Sequence, residues 1–458
     1  MNVCHTASLA ALAALTLSLA SPSSAAGDVE LQTLRQELQR IKESYEQRIT
    51  ALERRLAQAE SAANSGAAAT RDSPTRGGTS SESAFNPALS LTLGGTYTRL
   101  SQDPNSYQIQ GFIPSGGEVG PPRRSFGLGE SELSISANID PTLRGTLTVA
   151  VAPQGGTIEV EEAYIETLGL GNGLRLKAGR FLAGIGYLNE QHAHIWNFSD
   201  APLAYKALLG NQLKNDGLQL KWLAPTDIYF ELGAETASGG AFPSSDSNRN
   251  GVTLATLFAH LGDDVGNSHS WRAGLSLLST SPRDRLYADV DSSGVEVSNG
   301  FSGTSRTWIA DFIWKWAPDG NAGQTGFTFQ SEYLRRRESG ELAFNSGAAL
   351  VPYASRQSGF YAQGVYKFMP NWRAGYRYDR LDSGTPLLGL KAGLSAANFP
   401  LLASARPRRD TLMLDYAASE FSLLRMQLAR DQSRAGRSDN QFWLQYVVSL
   451  GAHGAHRF

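Results

Sequence analysis

The sequence predicts an all-β protein: an antiparallel transmembrane β-barrel of about sixteen strands, with an N-terminal coiled-coil helix in front of it. Three observations carry this expectation. From residue 85 onward, apolar residues recur at every second position. The connections between the alternating runs are mostly short and long by turns. No run of eighteen or more apolar residues follows the N-terminus, so helical membrane spans are excluded there.

Residues 1–26 read as a secretory signal. An apolar core over 7–20 leads to the small-residue site Ser24-Ala25-Ala26, although the preceding segment carries His5 and no Lys or Arg. The single cysteine, Cys4, falls inside this signal, so the mature chain is expected to have neither disulfide nor thiolate chemistry. Residues 27–60 then form a helix with a heptad-like stripe: Leu31, Leu34, Leu38, Ile41, Tyr45, Ile49, Leu52, Leu56 and Ala59. One extra step of four is a stutter, which unwinds a coiled coil locally without ending it. So thin a stripe on so polar a helix needs a partner, and identical helices supply one. Residues 61–84, rich in Ser, Ala, Gly, Thr and Pro, read as a flexible linker. Residues 85–458 are the predicted barrel.

Sixteen alternating runs lie near 88–99, 125–139, 143–152, 157–168, 173–181, 214–223, 226–236, 250–261, 269–280, 304–316, 324–336, 357–368, 371–381, 410–417, 421–431 and 440–450. Leu218, Leu220 and Trp222, for example, alternate with Gln219 and Lys221. A soluble sandwich has the same period but buries its apolar face against a second sheet, whereas a membrane barrel turns it to lipid. The connections favour the barrel. Asp140-Pro141-Thr142, Ala224-Pro225, Met369-Pro370 and Ala418-Ser419-Glu420 are tight, while 100–124, 182–213, 281–303, 337–356 and 382–409 are long. Short periplasmic turns and long external loops are the bacterial outer-membrane pattern. Trp222, Trp271, Trp316, Phe368, Trp372 and Phe421 sit beside the short turns, where an interfacial aromatic girdle belongs. A net charge of -2 offers no electrostatic footprint for nucleic acid.

The connection over 183–213 is the candidate functional loop. Its apolar content, including Ile185, Tyr187, Ile195, Trp196, Phe198, Leu203, Leu208 and Leu209, is incompatible with free exposure to water. Folding into the pore and packing on a neighbouring subunit would each bury it. His192 and His194 are a candidate Zn²⁺ pair, with Asn189, Glu190, Gln191 and Asp200 near in sequence to complete a shell. Loop histidines bonded to nearby backbone are the plainer alternative. His453 and His456 form a second pair, expected at the opposite end of the barrel.

Predicted pore-lining bases are Arg144, Arg175, Lys177, Lys221, Arg272, Lys315, Lys367, Arg373, Arg377 and Arg425. The predicted acids include Glu132, Glu231, Glu235, Asp311, Glu332, Asp379 and Asp415. The mixture implies at most a weak anion preference. No nucleophile motif sits on a strand-turn-helix, so no catalytic activity is expected. Glu161 and Glu162 are adjacent, and a regular strand would place them on opposite faces, where they cannot act as a pair.

Residues 158–181, with EVEEAYIET followed by LRLKAGRF, resemble the strand pair of the phosphate-selective porin family, in which an Ala-Tyr strand precedes one ending in Gly-Arg/Gln-Phe. The final residue, Phe458, is the one such barrels usually end on. The resemblance implies a homotrimeric porin in outer-membrane lipid, passing small hydrophilic solutes or ions without a cofactor. That family's dense arginine ladder is not evident, so phosphate selectivity is not implied. HAHIWNFSDAPL and GAHGAHRF resemble proteobacterial outer-membrane proteins labelled zinc-regulated or TonB-dependent. This second resemblance implies a link to Zn²⁺ and, as an alternative function, a zinc-linked receptor or uptake channel. The plug and coupling box of TonB-dependent receptors are not recognisable. A third alternative is a structural envelope tether built on the N-terminal helix.

Overall fold

The computed structural model describes residues 87–451, except 117–118, 152–156, 246–249, 292, 348 and 391–392. The expected signal, coiled coil, linker and His453/His456 pair lie outside the described residues.

Alternating sequence becomes alternating geometry through nineteen strands, among the described residues, in one antiparallel sheet. They are β1 (Ala88–Leu100), β2 (Ser125–Leu128), β3 (Ser131–Asn138), β4 (Leu143–Val151), β5 (Ile158–Thr167), β6 (Leu174–Leu182), β7 (Lys214–Leu223), β8 (Tyr229–Ala237), β9 (Leu254–Val265) and β10 (His269–Thr280). There follow β11 (Arg285–Val290), β12 (Glu296–Trp316), β13 (Gly326–Phe344), β14 (Ala349–Met369), β15 (Trp372–Asp382), β16 (Leu387–Leu388), β17 (Arg408–Ser419), β18 (Ser422–Asp431) and β19 (Asp439–Gly451). The first strand pairs with the last, from Ser90 opposite Gly451 to Leu100 opposite Gln441, and this closes the barrel. Closure satisfies the backbone groups that an open edge would leave unpaired.

Sixteen staves result. β2 and β3 share one stave, since both pair with β1, while β11 and β16 are short additions on β12 and β14. Each of the sixteen runs expected from the sequence corresponds to one stave. Two of the expected long loops do not exist as loops. Within 281–303, β11 pairs with the outer part of β12, and within 337–356, β13 and β14 run on in register to Phe344 opposite Ala349. The physical reason is a second apolar cluster at this end of the barrel. Phe301, Leu342, Val351 and Tyr353 on the extended strands are buried against Ile113, Phe399, Leu401 and Leu402 of the loops that fold over them. The alternation in these extensions therefore serves a protein interior.

Across most of the wall the pattern is the reverse of a soluble protein's. On β7, Leu218 and Leu220 are 50% and 46% exposed on the outer surface, while Gln219 and Lys221 between them are buried inside. Phe312 and Trp308 face outward on β12, and Asp311 and Thr307 face inward. Trp222, Phe368, Trp372 and Phe421 border the rim of short turns, with Trp372 packed 4.8 Å from Tyr416, ring centre to ring centre. This outer surface is a continuous apolar band that suits lipid.

The assignment of faces yields a direct test. Leu220→Arg or Phe312→Arg should destabilise the inserted barrel by roughly 2–4 kcal/mol if the position lies near the bilayer midplane. Ser90→Arg, at an inward position that borders the cavity inside the barrel, should change it by less than about 1 kcal/mol. Reversible urea unfolding in liposomes measures both, and equal destabilisation of the two sets would contradict the orientation.

Candidate functional site

The connection between β6 and β7 enters the barrel. Its neck is closed by the Ala183 N–H, which donates to the Leu213 carbonyl at 2.9 Å. Asn189 braces the same point. Its amide donates to the carbonyls of Ala183 and Leu213 at 2.8 and 2.9 Å, and its oxygen accepts from Leu213 N–H at 2.7 Å. Beyond the neck the loop carries a short helix, α1 (Leu203–Leu209), ended by Gly210 in the left-handed conformation at φ 73°. Every residue of α1 is buried.

A backbone that crosses a lumen carries polar groups that need partners. The wall provides carboxylates. Gly184 N–H donates to Glu235 (2.7 Å), Leu188 N–H to Glu332 (2.9 Å) and Leu203 N–H, at the start of α1, to Asp379 (2.9 Å). Glu332 also accepts from the hydroxyls of Tyr205 and Tyr361, each at 2.7 Å. Where the loop passes over Glu332 the residue is Gly186, at φ 65°, and a Cβ there would run into the carboxylate. The apolar side chains of the loop, among them Ile185, Leu203, Leu208 and Leu209, pack with Phe258, Ile309, Leu334 and Leu381 of the wall. Of the two expected destinations for this loop, the structure shows the inward one.

Asp200 fastens the far side. Its carboxylate accepts from Lys206 (2.6 Å), Arg377 (3.1 Å), Gln427 (3.2 Å) and Arg409. Burial alone would raise its pKa, but Arg409, Lys206 and Arg377 hold it well below the usual carboxylate range.

With the loop held there, His192 and His194 are carried to the opposite wall. Nδ1 of His192 lies 3.3 Å from Glu132 and 3.3 Å from Glu161, and its Nε2 lies 3.0 Å from Glu162. Nδ1 of His194 lies 3.2 Å from Glu132. Burial opposes the charged form of His192, but its hydrogen bonds to Glu132, Glu161 and Glu162 raise its pKa well above the ordinary histidine value. Two adjacent glutamates reach one imidazole because β5 is irregular. Thr148 pairs with Glu162 and Val149 with Val160, so Glu161 is an extra residue in the ladder. A β-bulge of this kind breaks the two-residue alternation. This corrects the expectation that Glu161 and Glu162 point to opposite faces.

The expected shell is corrected as well. Glu190 pairs with Lys221 (2.5 Å) and Arg272 (3.6 Å), and Asp200 joins the arginine cluster, so neither accompanies the histidines. The carboxylates beside the histidines come from β3, β5 and the residue just before β3, Glu130.

The predicted pore-lining residues separate into two groups. Arg144, Arg175 and Lys177 border a cavity of about 620 Å³ toward the short-turn rim, together with Glu132, Glu162 and both histidines. Lys221 and Glu231 border another of about 800 Å³, and Lys315, Arg373 and Arg425 a third of about 460 Å³. Asp311, Glu332 and Arg377 face the lumen but are buried under the loop, with Arg377 and Glu332 holding it in place. Glu332 and Arg377 thus anchor the loop, and none of the three borders open space. On the long-loop side, a cavity of about 200 Å³ is bordered by Glu130, Glu159, Glu161, Ala193 and Lys214. The histidine–carboxylate cluster thus stands between an outer and an inner cavity, beside the part of the wall the loop leaves uncovered.

Fold and site together define a closed sixteen-stave barrel whose lumen is narrowed by an inward loop. No protein-family profile matches the chain. Over 403 residues it is 31% identical to an Aquifex aeolicus (strain VF5) protein described as uncharacterized, covering 82% of this chain and 81% of that one. The chain belongs to the family of that Aquifex protein. Similar solved structures include a loop L8 deletion mutant of OmpT, an outer membrane protein of Vibrio cholerae, at 13% identity and TM-score 0.49, covering 80% of this chain and 100% of that one. The outer membrane channel DcaP of Acinetobacter baumannii is 11% identical at TM-score 0.47, covering 82% and 100%. An anion-selective porin from Comamonas acidovorans is 11% identical at TM-score 0.45, covering 80% and 100%.

Asp200→Ala would leave Arg377 and Arg409 buried without their shared carboxylate. Breaking a buried ion pair from one side costs about 3–5 kcal/mol. The expected result is loop release at little loss of barrel closure: faster protease cleavage within 190–205, with the strand signal in circular dichroism retained. Unchanged cleavage would show that Asp200 does not fasten the loop.

Proposed function

We propose that the protein is a channel of the bacterial outer membrane through which small hydrophilic solutes diffuse passively, and that its narrowest part favours cations. The observation that carries this reading is the one-sided placement of the loop. Its fastening consumes the wall on the α1 side, and leaves cavities on both sides of the cluster near β3–β5. An apolar exterior and a polar, partly filled interior are what a diffusion channel requires.

The charge at the narrow part supports cation preference over the weak anion preference expected from composition of the wall. Several arginines of that count are engaged in ion pairs: Arg377 with Asp200 and Asp379, Arg373 and Arg425 with Asp415, and Arg272 with Glu190. Glu130, Glu159 and Glu161 border the outer cavity with Lys214, which is 3.4 Å from Glu161, while Glu132 and Glu162 border the inner one, which Lys177, Arg144 and Arg175 share farther toward the short-turn rim. Carboxylate rings at constrictions favour cations.

Purified protein in planar bilayers between unequal KCl solutions should give stepwise currents with a reversal potential of the cation-selective sign. Glu159→Gln with Glu161→Gln should move that potential toward zero. Deleting 190–205 should raise the single-channel conductance. Absence of steps would remove the channel reading, and an anion-selective reversal potential would remove the assignment of charge.

A further inference from the structure

We propose that His192, Glu132 and Glu161 bind a divalent transition-metal ion where the inward loop meets the β3–β5 wall, with His194 held beside them on Glu132. The placement of this ion on a solute path rests on the channel reading, but its binding does not.

Two three-ligand sets are already assembled, and they share Glu132. One is Glu132, Glu161 and His192; the other is Glu130, Glu132 and His194, and in each the donor atoms lie within 4.8 Å of one another. In the first set Nδ1 of His192 lies 3.3 Å from Glu132 and 3.3 Å from Glu161, separations that suit one metal, while His194 faces the other oxygen of Glu132. Ligands about 2.0–2.2 Å from a tetrahedral ion stand roughly 3.3–3.5 Å apart, so small side-chain movements suffice. The two imidazole rings lie 5.8 Å apart and nearly parallel, which presents both to the same carboxylate.

The surroundings support a ligand beyond simple ion pairing. Glu162 holds the Nε2 side of His192 at 3.0 Å and itself accepts from Leu182 N–H at 3.2 Å. That is the carboxylate–histidine arrangement that fixes a metal-ligating ring, and it aims Nδ1 at Glu132 and Glu161. Glu132 is 3% exposed, with one oxygen 3.3 Å from His192 and the other 3.2 Å from His194. A buried carboxylate held against imidazole nitrogens is a ready ligand. The bulge at Glu161 brings that carboxylate inward with Glu162, where an ordinary strand would have supplied one carboxylate.

The donor set selects the metal class. Imidazole nitrogen with carboxylate oxygen suits Zn²⁺ and neighbouring first-row ions, whereas Mg²⁺ and Ca²⁺ prefer all-oxygen shells.

The test is calorimetric titration of the full-length protein in detergent with Zn²⁺, and separately with Mg²⁺. Saturable Zn²⁺ binding in the micromolar range, at least tenfold weaker in the His192→Ala/His194→Ala variant and not reproduced by Mg²⁺, is expected. Glu162→Gln retains all three proposed ligands and should weaken binding about 10–100-fold, as loss of a ring-orienting partner does. Heat-modifiable migration on gels identifies folded variants. A wild-type protein that takes up no Zn²⁺, or a folded double variant with wild-type affinity, would overturn the proposal. Zn²⁺ binding by a protein that never conducts would retain the metal site and discard the channel.

Discussion

The placement of carboxylates inside the wall governs this molecule. A loop of about thirty residues cannot lie in a lumen unless its N–H groups find acceptors, because an unpaired buried donor costs about 1–3 kcal/mol. Glu235, Glu332 and Asp379 each accept a loop N–H, and Asn189 ties the two arms of the neck together. The wall residues that looked like solute contacts are in large part a docking surface for the chain itself. Once they are occupied, the remaining open lumen is displaced to one side.

Asp200 and the histidine pair then act at opposite ends of one segment. Asp200 is drawn to Arg377 and Arg409, while His192 and His194, a few residues earlier, meet Glu132, Glu161 and Glu162. The loop is therefore pinned by its carboxylates, Glu190 on Lys221 and Arg272 and Asp200 on Arg377 and Arg409, to cationic wall residues and by its histidines to anionic ones. In the proposed channel this separation sets the carboxylates of β3 and β5, rather than the arginines, beside the remaining cavity. The β-bulge in β5 adds a carboxylate at that point.

The structural interior has two further consequences. The extended ends of β12, β13 and β14 turn apolar residues inward, where Phe399, Leu401 and Leu402 cover them. The barrel therefore has a protein core at its long-loop end and a polar lumen below it. On the inward loop, Gly186 is where only a residue without a Cβ can pass so close to Glu332.

The staves and their faces were legible in the sequence because a period of two is local: Leu218, Gln219 and Leu220 carry it within three residues. The apolar content of 183–213 likewise announced burial, and HxH spacing singled out His192 and His194. Their partners were not legible. Glu132 and Glu162 lie roughly sixty and thirty residues away, and closeness in sequence pointed instead to Glu190 and Asp200, which electrostatics claims for Lys221 and the arginines. The inward position of both Glu161 and Glu162 was hidden for a different reason: a bulge is a property of how two strands register, and one strand's sequence does not contain it. Local periodicity could fix which way a side chain leaves its strand. Which of the inward side chains meet solute, and which meet the chain itself, was decided only when the barrel closed around its own loop.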